Sequence, residues 1–96
     1  MTRRSIHKFR LYVADDTMNS AQATANLHTL CQTHLSGCHE IEIVDVFKEP
    51  QRAMLEGIRM TPTLIRLAPL PIRRIVGTLM DTQRVLDTLG LAANVP

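Results

Sequence analysis

Apolar and polar positions alternate early in the chain, with Phe9, Leu11 and Val13 on one side and Arg10 and Tyr12 on the other. A period of two is the signature of a half-buried strand, expected here over about 8–14. DDTMNS breaks the alternation, and Asn19 or Ser20 is the expected helix cap. Ala23, Leu27, Leu30, Cys31 and Leu35 then recur at spacings of three and four, which predicts a helix to Leu35, stopped at Ser36-Gly37. EIEIVDVF (40–47) is apolar at consecutive positions, which predicts a second strand covered on both faces. A strand, a long crossover and a strand imply a parallel pair with a right-handed connection.

The second half is less sharply patterned. Pro50 suits the first turn of a helix whose apolar side would be Ala53, Met54, Leu55 and Ile58, weakened by Gly57. TLIRLA (63–68) reads as a strand entered through Thr61-Pro62. Pro69-Leu70-Pro71 is a turn, and IRRIVGTL (72–79) is a returning antiparallel strand. Asp81 caps a last helix carrying Val85, Leu86 and Leu89 and stopped by Gly90. The resulting order, βαβαββα, is that of a thioredoxin-like α/β fold: a parallel βαβ unit followed by a ββα unit on one sheet. Residues 1–96 form a single expected domain, with a basic N-terminal tail over 1–7 and a C-terminal tail over 92–96.

Composition narrows the function classes. Apolar residues make up 45% of the 96 positions, which opposes disorder. One tyrosine, two phenylalanines and no tryptophan leave no stacking platform for single-stranded nucleic acid. A net charge of +2 is too small to argue for a duplex-binding surface, so no nucleic-acid partner is expected. No apolar run approaches the roughly 20 residues that span a bilayer. The basic start MTRRSIHKFR lacks the apolar core of a signal peptide. A cytoplasmic protein without a membrane partner is the expectation, its two cysteines reduced.

HTLCQTHLSGCH (28–39) holds both cysteines and three of the four histidines, which raises metal binding. Helix geometry opposes it. His28, Cys31 and His34 sweep about 120° around a helix, and the two histidines lie about 9 Å apart along its axis. Zinc ligands must converge to bonds of about 2.0–2.3 Å, so no metal and no cofactor is expected. The simpler reading makes Cys31 a core residue and the histidines a solvated face. Thioredoxin chemistry would need a thiolate at the start of the first helix, where the N-terminus lowers its pKa. ADDTMNSA stands there without a cysteine. Asp15-Asp16 reads as a turn and cap, the four glycines are isolated, and no serine sits in a nucleophile elbow. No catalytic residue is assigned.

A group of motifs carries a resemblance. LYVA (11–14) with Asn19-Ser20, IVDV (43–46), Lys48, Pro50-Gln51, Ala53, TPTL (61–64), PLPIRRIVG (69–77), Leu79, Asp81 and Val85-Leu86 are similar to the circadian clock KaiB family, over about residues 8–91. The resemblance implies a non-enzymatic regulatory protein that binds a KaiC-type, RecA-like ATPase, with a KaiA-like protein or a histidine kinase as further partners. It also implies a second, self-associating ground-state fold, βαββααβ, as a dimeric or tetrameric homo-oligomer. There, roughly 50–58 and 85–91 become strands and 63–78 turns largely helical. The proline segment Thr61, Pro62, Thr63, Pro69 and Pro71 marks the expected structural switch, since slow X–Pro isomerisation is a candidate gate. The expected partner-binding residues are Lys48, Pro50, Gln51, Glu56 and Arg59 around the second helix, with Arg73 and Arg74 behind them. DDTMNS replaces a common GNTPNS, and EPQRAMLEGIRM replaces an NPQLAEEDKILA-like run, trading acidic residues for Arg52, Met54 and Leu55.

Two other readings stand beside this one. A thioredoxin-fold oxidoreductase is opposed by the missing helix-start cysteine. A KaiB-like sensor module of histidine-kinase signalling would bind the same ATPase without changing fold. The motifs leave open whether the role is circadian or tied to stress signalling.

Overall fold

The computed structural model describes residues 5–91. The elements follow the expected order: β1 (His7–Val13), α1 (Met18–His34), β2 (His39–Asp45), α2 (Pro50–Leu55), β3 (Thr63–Ala68), β4 (Arg73–Val76) and α3 (Thr82–Leu89). One four-stranded sheet has the order β2-β1-β3-β4. The long α1 crossover makes β1 and β2 parallel, whereas β3 runs antiparallel to both β1 and β4. Of the basic N-terminal tail, His7 already belongs to β1; residues 1–4 and 92–96 lie outside the described part.

The register sorts the side chains into two faces. Ile43, Leu11, Leu64 and Ile75 form one row across all four strands. Leu11, Leu64 and Ile75 of this row, with Phe9 and Val13, meet Ala23, Leu27, Leu30 and Cys31 of α1 and Val85, Leu86 and Leu89 of α3 in the main core, while Ile43 at the sheet edge stays outside it. The opposite face carries the rows Val44–Tyr12–Thr63–Val76 and Glu42–Arg10–Ile65–Arg74. Its apolar cluster is small: Tyr12, Val44, Ala53 and Ile65, with Val46, Ile58 and Leu67 at the margin.

Four local expectations change. The α1 cap is Thr17, not Asn19 or Ser20: the Ser20 amide donates to Thr17 Oγ1 at 3.3 Å. Ser20 sits in the first turn, buried, its Oγ accepting from the Ala14 amide at 3.0 Å. β2 is not covered on both faces. It is an edge strand with only Val44 buried: on the α1 side Ile43 lies outside the core, 42% exposed, and on the α2 side Glu40 and Glu42 are exposed. β4 stops at Val76, where Gly77 takes φ +118, a value that favours glycine. The apolar side of α2 is narrower than its sequence suggests. Ala53 and Ile58 pack inward, while Met54 and Leu55 point to solvent.

Candidate partner-binding surface

α2 begins with Pro50 at its first turn, where a missing amide costs nothing. It is only six residues long, and Ala53 is its one buried residue. So small an apolar anchor is supplemented by charge. Arg10 Nε donates to Glu42 Oε1 at 2.8 Å, and Arg52 Nη1 and Nη2 grip the same carboxylate at 2.9 and 3.0 Å. Arg52 also reaches Glu49 Oε1 at 3.2 Å. The two guanidiniums, Arg52 first, hold the Glu42 carboxyl down at about 2.

Glu56 caps the C-terminal end of α2 and points into the sheet. Tyr12 Oη donates to its Oε1, and Arg10 Nη1 donates to the same oxygen at 2.6 Å. Arg74 Nη2, from β4, donates to the Glu56 carbonyl. Burial pushes the Glu56 carboxyl up, but the bonds from Tyr12 and Arg10 outweigh it, and its pKa lies below the ordinary range. The Tyr12 phenol is raised by burial and by this carboxylate. Three side chains from β1 and β4 therefore converge on one residue that the sequence had suggested for partner contact. Its carboxylate is already engaged internally.

The other expected contact residues face outward. Lys48, Pro50 and Gln51 are exposed and, with Glu49 and Arg52, line one shallow depression. Arg59 is exposed beyond Gly57, and Arg73 and Arg74 are exposed on β4, some distance along the sheet. Of the proline segment, Pro62 and Thr63 are buried, Pro69 is half-buried and Pro71 is exposed. Thr61–Pro62, Ala68–Pro69 and Leu70–Pro71 are all cis. Thr61 itself is half-buried, and Thr63 Oγ1 donates to the Met60 carbonyl at 2.5 Å.

Sequence reasoning missed the apolar part of this surface. Phe47 (71%), Met54 (78%), Leu55 (87%) and Met60 (63%) all lie in solvent around α2. Gly57 was the available signal, since a helix ending there is too short to bury adjacent residues at 54 and 55. Arg66 was missed too. It is buried on the α3 side, where Nη1 donates to the Leu89 carbonyl at 2.6 Å and Nη2 to the Pro71 carbonyl at 2.9 Å. Its alternation with Leu64 was the available signal, since it puts position 66 on the core face.

The cysteine and histidine stretch separates rather than converges. Cys31 and Cys38 are buried free thiols, while His28 and His34 face solvent. Burial pushes the Cys31 thiol up to about 11, away from the thiolate that redox chemistry requires. Among the described residues, no three His, Cys, Asp or Glu side chains gather into a metal-binding group. Nor is any helix there long and apolar enough to cross a membrane.

A four-stranded mixed sheet with α1 and α3 on one side and α2 on the other is a thioredoxin-like α/β protein. Solved structures agree: the N-terminal domain of SasA from Synechococcus elongatus superposes at TM-score 0.73, with 14% identity, over 100% of this chain and 94% of that one. Chloroplastic thioredoxin z gives 0.76, with 16% identity, over 92% and 80%. At such identities the likeness is one of fold alone. Residues 10–91 match the KaiB domain, and the chain belongs to the KaiB family. It is 45% identical to the circadian clock protein KaiB3 of Synechocystis sp. over 82 residues, 85% of this chain and 78% of that protein. It is 40% identical to the circadian clock oscillator protein KaiB of Synechococcus elongatus over 91 residues, 95% and 89% respectively.

Proposed function

We infer that this protein is a non-enzymatic cytoplasmic regulator that docks on a KaiC-type, RecA-like ATPase and modulates its activity or phosphorylation state. One observation carries the location of the contact. Phe47, Met54, Leu55 and Met60 are exposed apolar residues in the same segment as the exposed polar residues Lys48, Pro50, Gln51 and Arg59. Apolar residues set among polar ones are the composition of a protein-binding surface. Arg73 and Arg74 are outlying contacts. Glu56 acts one step back, as the residue that positions α2 on the sheet.

The direct test is co-purification with a KaiC-type ATPase, with and without nucleotide. Binding by the native chain, lost in Met54→Ser/Leu55→Ser while the fold is retained, is the expected result. Failure to bind any such ATPase refutes the reading. A KaiA-like protein or a histidine kinase would be a further partner, and a dimer or tetramer the resting assembly, in the second fold βαββααβ. Thr61, Pro62, Thr63, Pro69 and Pro71 would then lie in the rebuilt segment. Two sets of backbone chemical shifts in slow exchange support that switch; one unchanging set, with and without the ATPase, removes it. The latter outcome favours a non-switching sensor module, the reading to which the likeness in fold to the SasA domain lends support.

A further inference from the structure

β4 is the second edge of the sheet, touching the end of α2 through Arg74 at Glu56, and it is built to accept another strand. β4 is hydrogen-bonded to β3 alone. The Gly77 amide donates to the Pro62 carbonyl at 2.9 Å, which fixes the alternation of the antiparallel ladder. Counting back by twos, Ile75 and Arg73 spend their backbone groups on β3. The N–H and C=O of Arg74 and Val76 therefore point outward, a ready template for pairing. A groove of about 470 Å³ runs between this edge and α3, lined by Ile75, Val76, Leu79, Met80, Arg84 and Thr88.

Charge identifies the occupant. Arg73 and Arg84 are exposed and form no ion pair among the described residues; Arg74 donates to the Glu56 carbonyl and its charge also helps to lower the Glu56 carboxyl. The nearby acids are partly committed: Asp81 caps the Arg84 amide at 3.1 Å, and Asp87 accepts from Gln83 at 3.0 Å. Along β4, two arginines are followed by two aliphatic residues, Ile75 and Val76, and neighbours alternate between the two faces.

We propose that this edge binds an extended acidic protein segment by strand addition, with two adjacent acidic residues facing Arg73 and Arg74 and two aliphatic residues facing Ile75 and Val76. Main-chain pairing supplies affinity in such complexes and the flanking side chains supply selectivity. An antiparallel strand, the slightly more stable polarity, reads aliphatic-aliphatic-acid-acid from its N-terminus.

The probe is the peptide acetyl-Thr-Val-Ile-Glu-Glu-Thr-amide, with a Lys-Lys version in place of Glu-Glu as its control, titrated into the full chain at low salt. The expected result is a dissociation constant below about 1 mM for the acidic peptide alone. Amide exchange should slow at Arg74 and Val76 and stay unchanged at Arg73 and Ile75. Arg73→Glu/Arg84→Glu should weaken binding about tenfold and lower its salt dependence. Met54→Ser/Leu55→Ser should leave it intact, which separates peptide binding from the α2 part of the ATPase contact, even though Arg73 and Arg74 are shared. Four outcomes overturn the proposal: no binding, which would leave the arginines as guards against edge pairing; equal binding of the Lys-Lys peptide; protection on β2 instead; or helical shifts over Arg73–Val76. Concentration-dependent protection of the same amides without peptide would make a second copy the occupant and overturn it as well.

Discussion

The two faces of the sheet are built by opposite means. Toward α1 and α3, Phe9, Leu11, Val13, Leu64 and Ile75 meet two helices that bury apolar residues along their length, and the charged side chain buried there, Arg66, is bonded to the Leu89 and Pro71 carbonyls. Toward α2, one six-residue helix inserts a single alanine and is held by Arg10, Tyr12, Glu42, Arg52 and Glu56. Apolar burial scales with area and tolerates no gap, so the first face sets stability. Charged bonds on the second face fix the position of α2 with little buried area. That frees Met54 and Leu55 to stay outside. A helix held by hydrogen bonds can present apolar residues to a partner without consuming them in its own core.

The contrast makes graded predictions. Leu27→Ala, at a fully buried site facing the main core, should cost about 2–5 kcal/mol in chemical denaturation. A smaller loss would mean that α1 collapses onto the vacancy. Glu56→Ala leaves the Tyr12 hydroxyl and Arg10 without their shared acceptor, and should cost about 1–3 kcal/mol. Tyr12→Phe in the Glu56→Ala background should recover part of that loss, since it removes the orphaned donor; independent additive effects would show that the two do not act together.

The acid response should follow Glu42. Its carboxyl is depressed in the folded state, so its contribution is complete above the ordinary carboxylate value of about 4.3 and is lost as pH falls toward about 2. A carboxyl titration by NMR should place its midpoint near the lower value, and Arg52→Ala should move it upward. An unmoved midpoint would assign the depression to Arg10 alone. The smallest effect on stability belongs to Met54→Ser/Leu55→Ser, within about 0.5 kcal/mol, because neither side chain leaves water on folding. A large loss would show that these residues belong to the fold rather than to its surface.

Periodicity revealed much of the fold. The 3.6-residue stripe of Ala23, Leu27, Leu30 and Cys31 and the alternation of Phe9, Leu11 and Val13 reflect burial against a continuous core, and each landed where its period put it. Where burial was partial, the pattern misled. Ile41, Ile43 and Val44 look like a doubly covered strand, yet β2 is the sheet edge: Ile41 and Ile43 lie at or beyond the margin of the main core, and on the α2 face only Val44 is buried. The thioredoxin-like order was legible from turn signals and crossover length. The site was legible only in outline: motif positions marked the α2 region, but whether Glu56 faces out or in depends on Tyr12 and Arg10, forty-odd positions away. Buried arginine at position 66 follows from pairing with the ends of α3 and the proline turn, which no local window contains.

The strand order β2-β1-β3-β4 has a topological consequence. Read across the sheet, the strands are sorted by chain half: the first two come from before residue 46 and the last two from after residue 62. No strand of one half is interleaved between strands of the other. Within the sheet the halves meet at a single seam between β1 and β3; outside it they are joined by α3 on the shared core, by the bonds of α2 and Glu56 to Glu42, Arg10 and Tyr12, and by Asn26 donating to the Thr78 carbonyl. Opening that seam and releasing those contacts would detach the latter half without passing any loop through another. The former half would keep its parallel pair and crossover helix. A sheet with interleaved halves would have to be dismantled before either could be rearranged; this one can be unbuttoned along one line.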